Sequence, residues 1–155
     1  GNKMKRLLTF FLISVLLISV FTVAKADHTT NYIEYSITIL GGGNAGTDTR
    51  ALKKEIGGDA VVRLRKLYRQ DTPDGDFVEA SGYGWAEVWR VSPKVLATST
   101  SGTVNKVISG NARTFIPFVS GQGEVGQNYT IRMRVPNDYN PNKQFRYTGS
   151  WSPDE

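Results

Sequence analysis

The stretch Tyr32-Ile33-Glu34-Tyr35-Ser36-Ile37-Thr38-Ile39-Leu40 decides the fold. Ile33, Tyr35, Ile37 and Ile39 share one parity, and Glu34, Ser36 and Thr38 share the other. Period-two alternation of β-branched and aromatic residues describes a strand with one buried and one wet face. Residues 129–135 repeat it, with Tyr129, Ile131, Met133 and Val135 against Thr130, Arg132 and Arg134. The closing residues 144–151 repeat it again, with Phe145, Tyr147 and Trp151 against Arg146, Thr148 and Ser150.

Working outward, residues 60–69 read as a strand with Ala60, Val62, Leu64 and Tyr68 inward. Arg63, Arg65 and Arg69 form a basic stripe on its other side, and Lys66 interrupts the apolar face. Residues 77–91 hold the densest aromatics: Phe77, Tyr83, Trp85 and Trp89. Gly82 and Gly84 flank Tyr83, which predicts a bulge or a close backbone approach. Trp85 and Trp89 are expected in the core, because large aromatics are its best fillers. Tyr83 is expected at the surface. Short strands are expected at 95–98, 103–108 and 113–119. Pro117 lacks an N–H, so the last of these belongs on an edge or at a bulge.

Residues 47–55 are weakly helical in pattern, and equally compatible with an edge strand. The run Gly41-Gly42-Gly43-Asn44-Ala45-Gly46 lacks the Lys-Ser/Thr of a phosphate loop and reads as a flexible turn. Residues 71–76 read as a turn in which Pro73 presets φ and Gly75 takes the special conformation. Asp71, Asp74 and Asp76 are also hard-oxygen candidates for Ca²⁺, without EF-hand spacing. The sequon Asn128-Tyr129-Thr130 opens a strand and is read as chance. Short strands between Gly, Pro and Asn turns predict an all-β class: an antiparallel two-sheet β-sandwich of about eight or nine strands. A jelly roll or an open barrel is the alternative.

Residues 4–26 are a different kind of segment. Met4-Lys5-Arg6 is basic, 7–23 carries no charge, and Ala24-Lys25-Ala26 precedes Asp27. That is the layout of a secretory signal peptide, with Ala24 and Ala26 as the small residues before a cleavage point at Asp27. An uncleaved N-terminal membrane anchor is the alternative, since the apolar run is near spanning length. Gly1-Asn2-Lys3 reads as upstream residues, and 27–155 as a single secreted β domain.

Export changes the charge balance. The whole chain has 19 basic and 14 acidic residues, a formal +5. Lys3, Lys5, Arg6 and Lys25 precede Asp27, so the mature part is near +1, which removes the case for nucleic acid. There is no cysteine, hence no disulfide and no acylated-Cys anchor. His28 is the single histidine, so Cys/His and Ser/His/Asp schemes and zinc sites lack their parts. No cofactor is expected. Glu87, between Trp85 and Trp89, is the one acid in an aromatic setting and the candidate for glycoside chemistry.

The export segment, the strand at 32–40 and the C-terminal Tyr147-Thr148-Gly149-Ser150-Trp151-Ser152-Pro153-Asp154-Glu155 together resemble a family of small secreted Gram-positive bacterial proteins of unknown function. The resemblance rests on an aromatic-x-Gly-x-Trp pattern with an acidic end. It implies a β-sandwich encoded near bacteriocin-like and export genes, and carries over no catalytic residue. The expectation is a secreted, non-enzymatic protein binding at the cell envelope, to cell-wall polymer or glycan. Tyr83, Arg63, Arg65, Arg132 and Arg134 are the candidate ligand-binding residues. A bacteriocin-like secreted antagonist and a small carbohydrate-active enzyme using Glu87 are the alternatives.

Overall fold

The computed structural model describes residues 31–98, 106–108 and 110–154. The described residues form one compact unit. The segment at 4–26 expected to be a signal peptide, with Ala24, Ala26 and Asp27 around its expected cleavage point, lies outside the described residues, as do His28 and the first part of the strand expected at 103–108. No helix among the described residues is long and apolar enough to cross a membrane.

The protein is an all-β sandwich of two antiparallel sheets. The strands are β1 (Ile33–Leu40), β2 (Ala45–Thr47), β3 (Leu52–Lys53), β4 (Ala60–Gln70), β5 (Phe77–Ala80), β6 (Gly84–Arg90), β7 (Val95–Leu96), β8 (Lys106–Ile108), β9 (Arg113–Ile116), β10 (Asn128–Arg134) and β11 (Gln144–Ser152). The first sheet runs β1-β11-β4, and the free side of the long β4 is shared by β9 and β5. The second has β10 and β6 at its centre. Short β2 and β3 share one flank, and β7 and β8 the other. Both sheets keep free edges, so neither closes into a barrel.

Eleven strands among the described residues, rather than eight or nine, arise because these flanks are built from two-to-four-residue pieces. Such pieces are too short to display a period. The same holds for 47–55: its helical option is wrong, and it contributes the edge strand β3 and the last residue of β2, whose first two residues, Ala45 and Gly46, belong to the run read as a turn. Strand β9 ends at Ile116, before Pro117, and pairs only with β4, as a Pro-terminated edge should.

The core lies between the sheets. Tyr35, Ile37, Ile39, Val62, Leu64, Leu67, Phe145, Tyr147 and Trp151 meet Ala86, Val88, Ile108, Tyr129, Ile131 and Met133. Leu67 is inward, not Tyr68 as the alternation suggested. The ladder steps from Lys66 opposite Thr148 to Leu64 opposite Gly149, leaving Arg65 as an extra residue. This β-bulge resets the parity and turns both Arg65 and Lys66 to solvent. It explains the lysine that interrupts the apolar face.

Gly149 sits beside the bulge. A Cβ there would lie 1.8 Å from the Arg63 carbonyl oxygen. Its partner across the ladder is Tyr35, whose hydroxyl donates to that same oxygen at 2.9 Å. The aromatic side chain covers a glycine that cannot pack for itself, and the bulge carbonyl is satisfied. Burial pushes the Tyr35 phenol well above its ordinary pKa, with Glu34 adding and Arg65 opposing.

The C-terminal motif is locked into the fold. Trp151, Ser152, Pro153 and Asp154 are all buried. The Asp154 carboxylate accepts from the backbone N–H groups of Glu55 (3.0 Å) and Ile56 (3.1 Å), and from Asn31 Nδ2 at 3.0 Å. Lys54, fully buried, places its Nζ 3.7 Å from Asp154 Oδ1. It donates to the Pro153 and Gly58 carbonyls at 2.5 and 3.0 Å, and lies 4.7 Å from the Phe118 ring centre.

Candidate functional site

The five candidate binding residues do not converge. The register puts Arg63 and Arg65 on the outer face of the first sheet, and Arg132 and Arg134 on the outer face of the second. Tyr83 lies between β5 and β6, at one end of the sandwich.

The outer face of the first sheet is strongly basic. Rows read across it as Glu34, Ser150, Arg63, Arg113; then Ser36, Thr148, Lys66 with bulged Arg65; then Thr38, Arg146, Tyr68, Glu79. Among the described residues, Arg63, Arg65, Lys66, Arg113 and Arg146 thus face only Glu34 and Glu79 in these rows. Arg65 takes Glu34 at 2.6 Å, and Lys66 reaches Glu79 at 4.0 Å. Arg146 lies 3.9 Å from the Phe77 ring centre and donates to Thr38. Arg63 stands directly opposite Arg113, and no carboxylate partner of either is found among the described residues. Arg113 leans on Phe115, itself 38% exposed, at 5.2 Å from ring centre. Facing like charges are destabilising, so this juxtaposition costs the fold stability. Arg113 was not singled out in the sequence; a lone Arg opening an edge strand gives no sign of what it will face.

The outer face of the second sheet carries the tryptophans. Trp85 and Trp89 are half-buried there and not in the core; the inward residues of β6 are Gly84, Ala86 and Val88. The reason is space. A Cβ on Gly84 would lie 2.6 Å from the Tyr147 ring, so large side chains from neighbouring strands already fill the gap. Glu87 shares the outer face yet is only 1% exposed. Its Oε2 accepts from Trp89 Nε1 at 3.1 Å, and Arg134 Nε approaches Oε1 at 3.5 Å. Arg132 Nε stands 4.0 Å from Oε2, and its guanidinium 5.2 Å from the Trp89 ring centre. Arg134 also donates to the Gly43 carbonyl. Glu87 is thus a buried carboxylate that takes hydrogen bonds from Trp89 and Arg134, with Arg132 at the limit of ion-pair distance.

Tyr83 is half-buried rather than open, and its backbone is an anchor. Its N–H donates to Tyr139 Oη at 3.0 Å, and its carbonyl accepts from Tyr147 Oη at 2.8 Å. A Cβ on Gly82 would lie 2.2 Å from Tyr139 Oη, so the flanking glycines do serve close approach.

The glycine run at 41–43 has a similar purpose. A Cβ would lie 2.1 Å from Asn140 O at Gly41, and 2.1 Å from Asn137 Oδ1 at Gly43. It is a turn packed against residues 137–141, which is a stricter demand than flexibility.

The aspartate turn faces cations. Asp71 accepts from Arg69 at 2.6 Å and pairs with Lys143 at 3.0 Å. Those two bonds hold its carboxyl below the usual carboxylate range. Gly75 N–H closes the turn on Thr72 O. No group of three acidic or histidine side chains placed to hold a metal occurs among the described residues. Asp71, Asp74 and Asp76 do not come together as a calcium site.

No family model, curated protein or solved structure matches this chain. The fold and the side-chain geometry are therefore what a functional reading rests on.

Proposed function

We propose that this is a secreted protein that binds an anionic polymer of the Gram-positive cell envelope through the outer face of its first sheet. The observation that carries the reading is Arg63 opposite Arg113, with no carboxylate partner of either among the described residues. Two guanidinium groups side by side offer parallel N–H donors suited to phosphate or carboxylate oxygens. The rest of the face supports it: Arg65, Lys66 and Arg146 extend the positive charge, and Ser36, Thr38, Thr148 and Ser150 add short hydroxyls. A near-neutral mature chain with one basic face is suited to a local, oriented contact, not a general affinity for polyanions. The signal-peptide pattern at 4–26 supports export, and the resemblance of the chain ends supports the Gram-positive setting.

Retention of the purified protein on isolated cell walls tests this, with intact walls compared against walls stripped of phosphate polymer. Retention is expected on intact walls at low salt, falling as salt screens the contact. Arg63→Ala and Arg113→Ala are each expected to weaken it. Failure to be retained at low salt, or retention of both variants equal to that of the parent, would refute the reading.

A further inference from the structure

A cleft of about 260 Å³ opens at the end of the sandwich, beside β5. We infer that it is a sugar subsite, taking one neutral pyranose unit of a glycan. This goes beyond the basic face, and does not depend on it.

The lining is Phe145, Tyr139 and Ala80 with Arg69, Lys143, Asp138, Asn140 and Ser81. Phe145 is buried and forms the floor, and Tyr139 tilts against it with ring centres 5.0 Å apart. Aromatic faces pack against the C–H faces of a sugar ring. Around them stand cationic and hydroxyl donors (Arg69, Lys143, Ser81), a carboxylate acceptor (Asp138) and an amide offering both (Asn140). Sugar hydroxyls donate and accept, so a mixed rim over an aromatic floor fits them.

Charge argues against the rival ligands. Arg69 and Lys143 already converge on Asp71, and Asp138 adds a second carboxylate at the rim. The mouth is near balance, which favours neither a free anion nor a metal cation. The volume, slightly below the range of drug-sized pockets, suits a single ring.

The cleft is also preformed. Tyr139 N–H bonds Pro136 O, Lys143 N–H bonds Asn140 O, and Gly41 N–H bonds Lys143 O. The glycines at 41 and 43 seat the backbone of this loop with no room for a side chain. Little ordering entropy is then lost on binding. The aromatic surface continues outward from Tyr139 to Tyr83 (5.9 Å) and on to Trp85 (5.7 Å). A longer glycan would therefore find further rings beyond the subsite.

The test is a titration of the purified, ¹⁵N-labelled protein with glucose, galactose and N-acetylglucosamine, and with inorganic phosphate and calcium chloride as comparators. At least one sugar is expected to give saturable shifts at Ser81 and at residues 138–143, with Kd on the order of 1 mM. These shifts should persist in about 1 M salt, where the screening length is about 3 Å and contact with the basic face is lost. Asp138→Ala, an exposed rim residue, should weaken binding about tenfold without altering the fold. Tyr139→Leu should abolish it; that variant also loses the bond from Tyr83 N–H, and Asp138→Ala tests the site without touching that bond. The inference is overturned if none of the three sugars saturates, if only phosphate or calcium shifts these residues, or if Asp138→Ala binds as well as the parent.

Discussion

Asp154→Ala removes a carboxylate that is 2% exposed and held by three N–H donors. Two of those donors are the backbone amides of Glu55 and Ile56, which lose their acceptor. The variant also takes a counter-charge from Lys54, which is fully buried. Breaking a buried ion pair from one side costs about 3–5 kcal/mol. That is a large part of the roughly 5–15 kcal/mol that holds a domain folded. For a domain of this size the loss corresponds to a Tm lowered by about 10–20 °C. Asp154→Asn keeps an oxygen acceptor but no charge, and should fall between parent and Ala. Lys54→Met together with Asp154→Leu removes both charges, and should recover part of the loss by replacing the pair with apolar volume. Urea unfolding of all four proteins, followed by tryptophan fluorescence, measures the series. A loss below about 1 kcal/mol for Asp154→Ala would refute the claim that the C-terminal lock stabilises the fold, since taking the counter-charge from the fully buried Lys54 should by itself cost more than that.

Other outcomes follow from the same geometry. Gly149→Ala places a Cβ on the Arg63 carbonyl, a backbone atom, and should cost at least the 1–3 kcal/mol or so of an overpacked site; unchanged thermal unfolding would contradict the bulge geometry. Glu87→Gln leaves Arg132 and Arg134 without their buried anion and should cost about 1–3 kcal/mol, less than a fully buried pair because both arginines are partly exposed; chemical denaturation checks it. Tyr35 and Tyr147 both have phenols pushed up by burial. The folded state therefore holds their protons after the unfolded chain has released them, and stability, full below pH 10, should decline as pH rises further. Thermal unfolding between pH 8 and 11 measures this; a flat profile above pH 10 would count against it.

The C-terminal aromatic-x-Gly-x-Trp pattern was legible as a motif, but its physical content was not. Each of its parts acts at long range: Tyr147 on Tyr83, Gly149 on Arg63 and Tyr35, Asp154 on residues 54–56. Lys54 carries no local sign of burial, because its surroundings come from a loop and a chain end 99 positions away. The candidate site was half legible for a related reason. Arg132 and Arg134 could be placed together by parity alone, since both lie on one strand. Whether Arg63 joined them depended on which sheet each strand entered.

By itself, the sequence determined the all-β class, the three long alternating strands and the faces they bury, because a period of two is a local property of the backbone. It also determined where turns fall, through Gly and Pro. The tertiary structure alone decided the parity of β6, where Trp85, Glu87 and Trp89 point outward because other rings occupy the space inside. It alone placed the bulge at Arg65, which needs a partner strand to exist. And it alone brought Arg63 to face Arg113, and Arg69, Asp138 and Phe145 to one cleft, since contacts between distant residues are set by strand order and not by any neighbour in the chain.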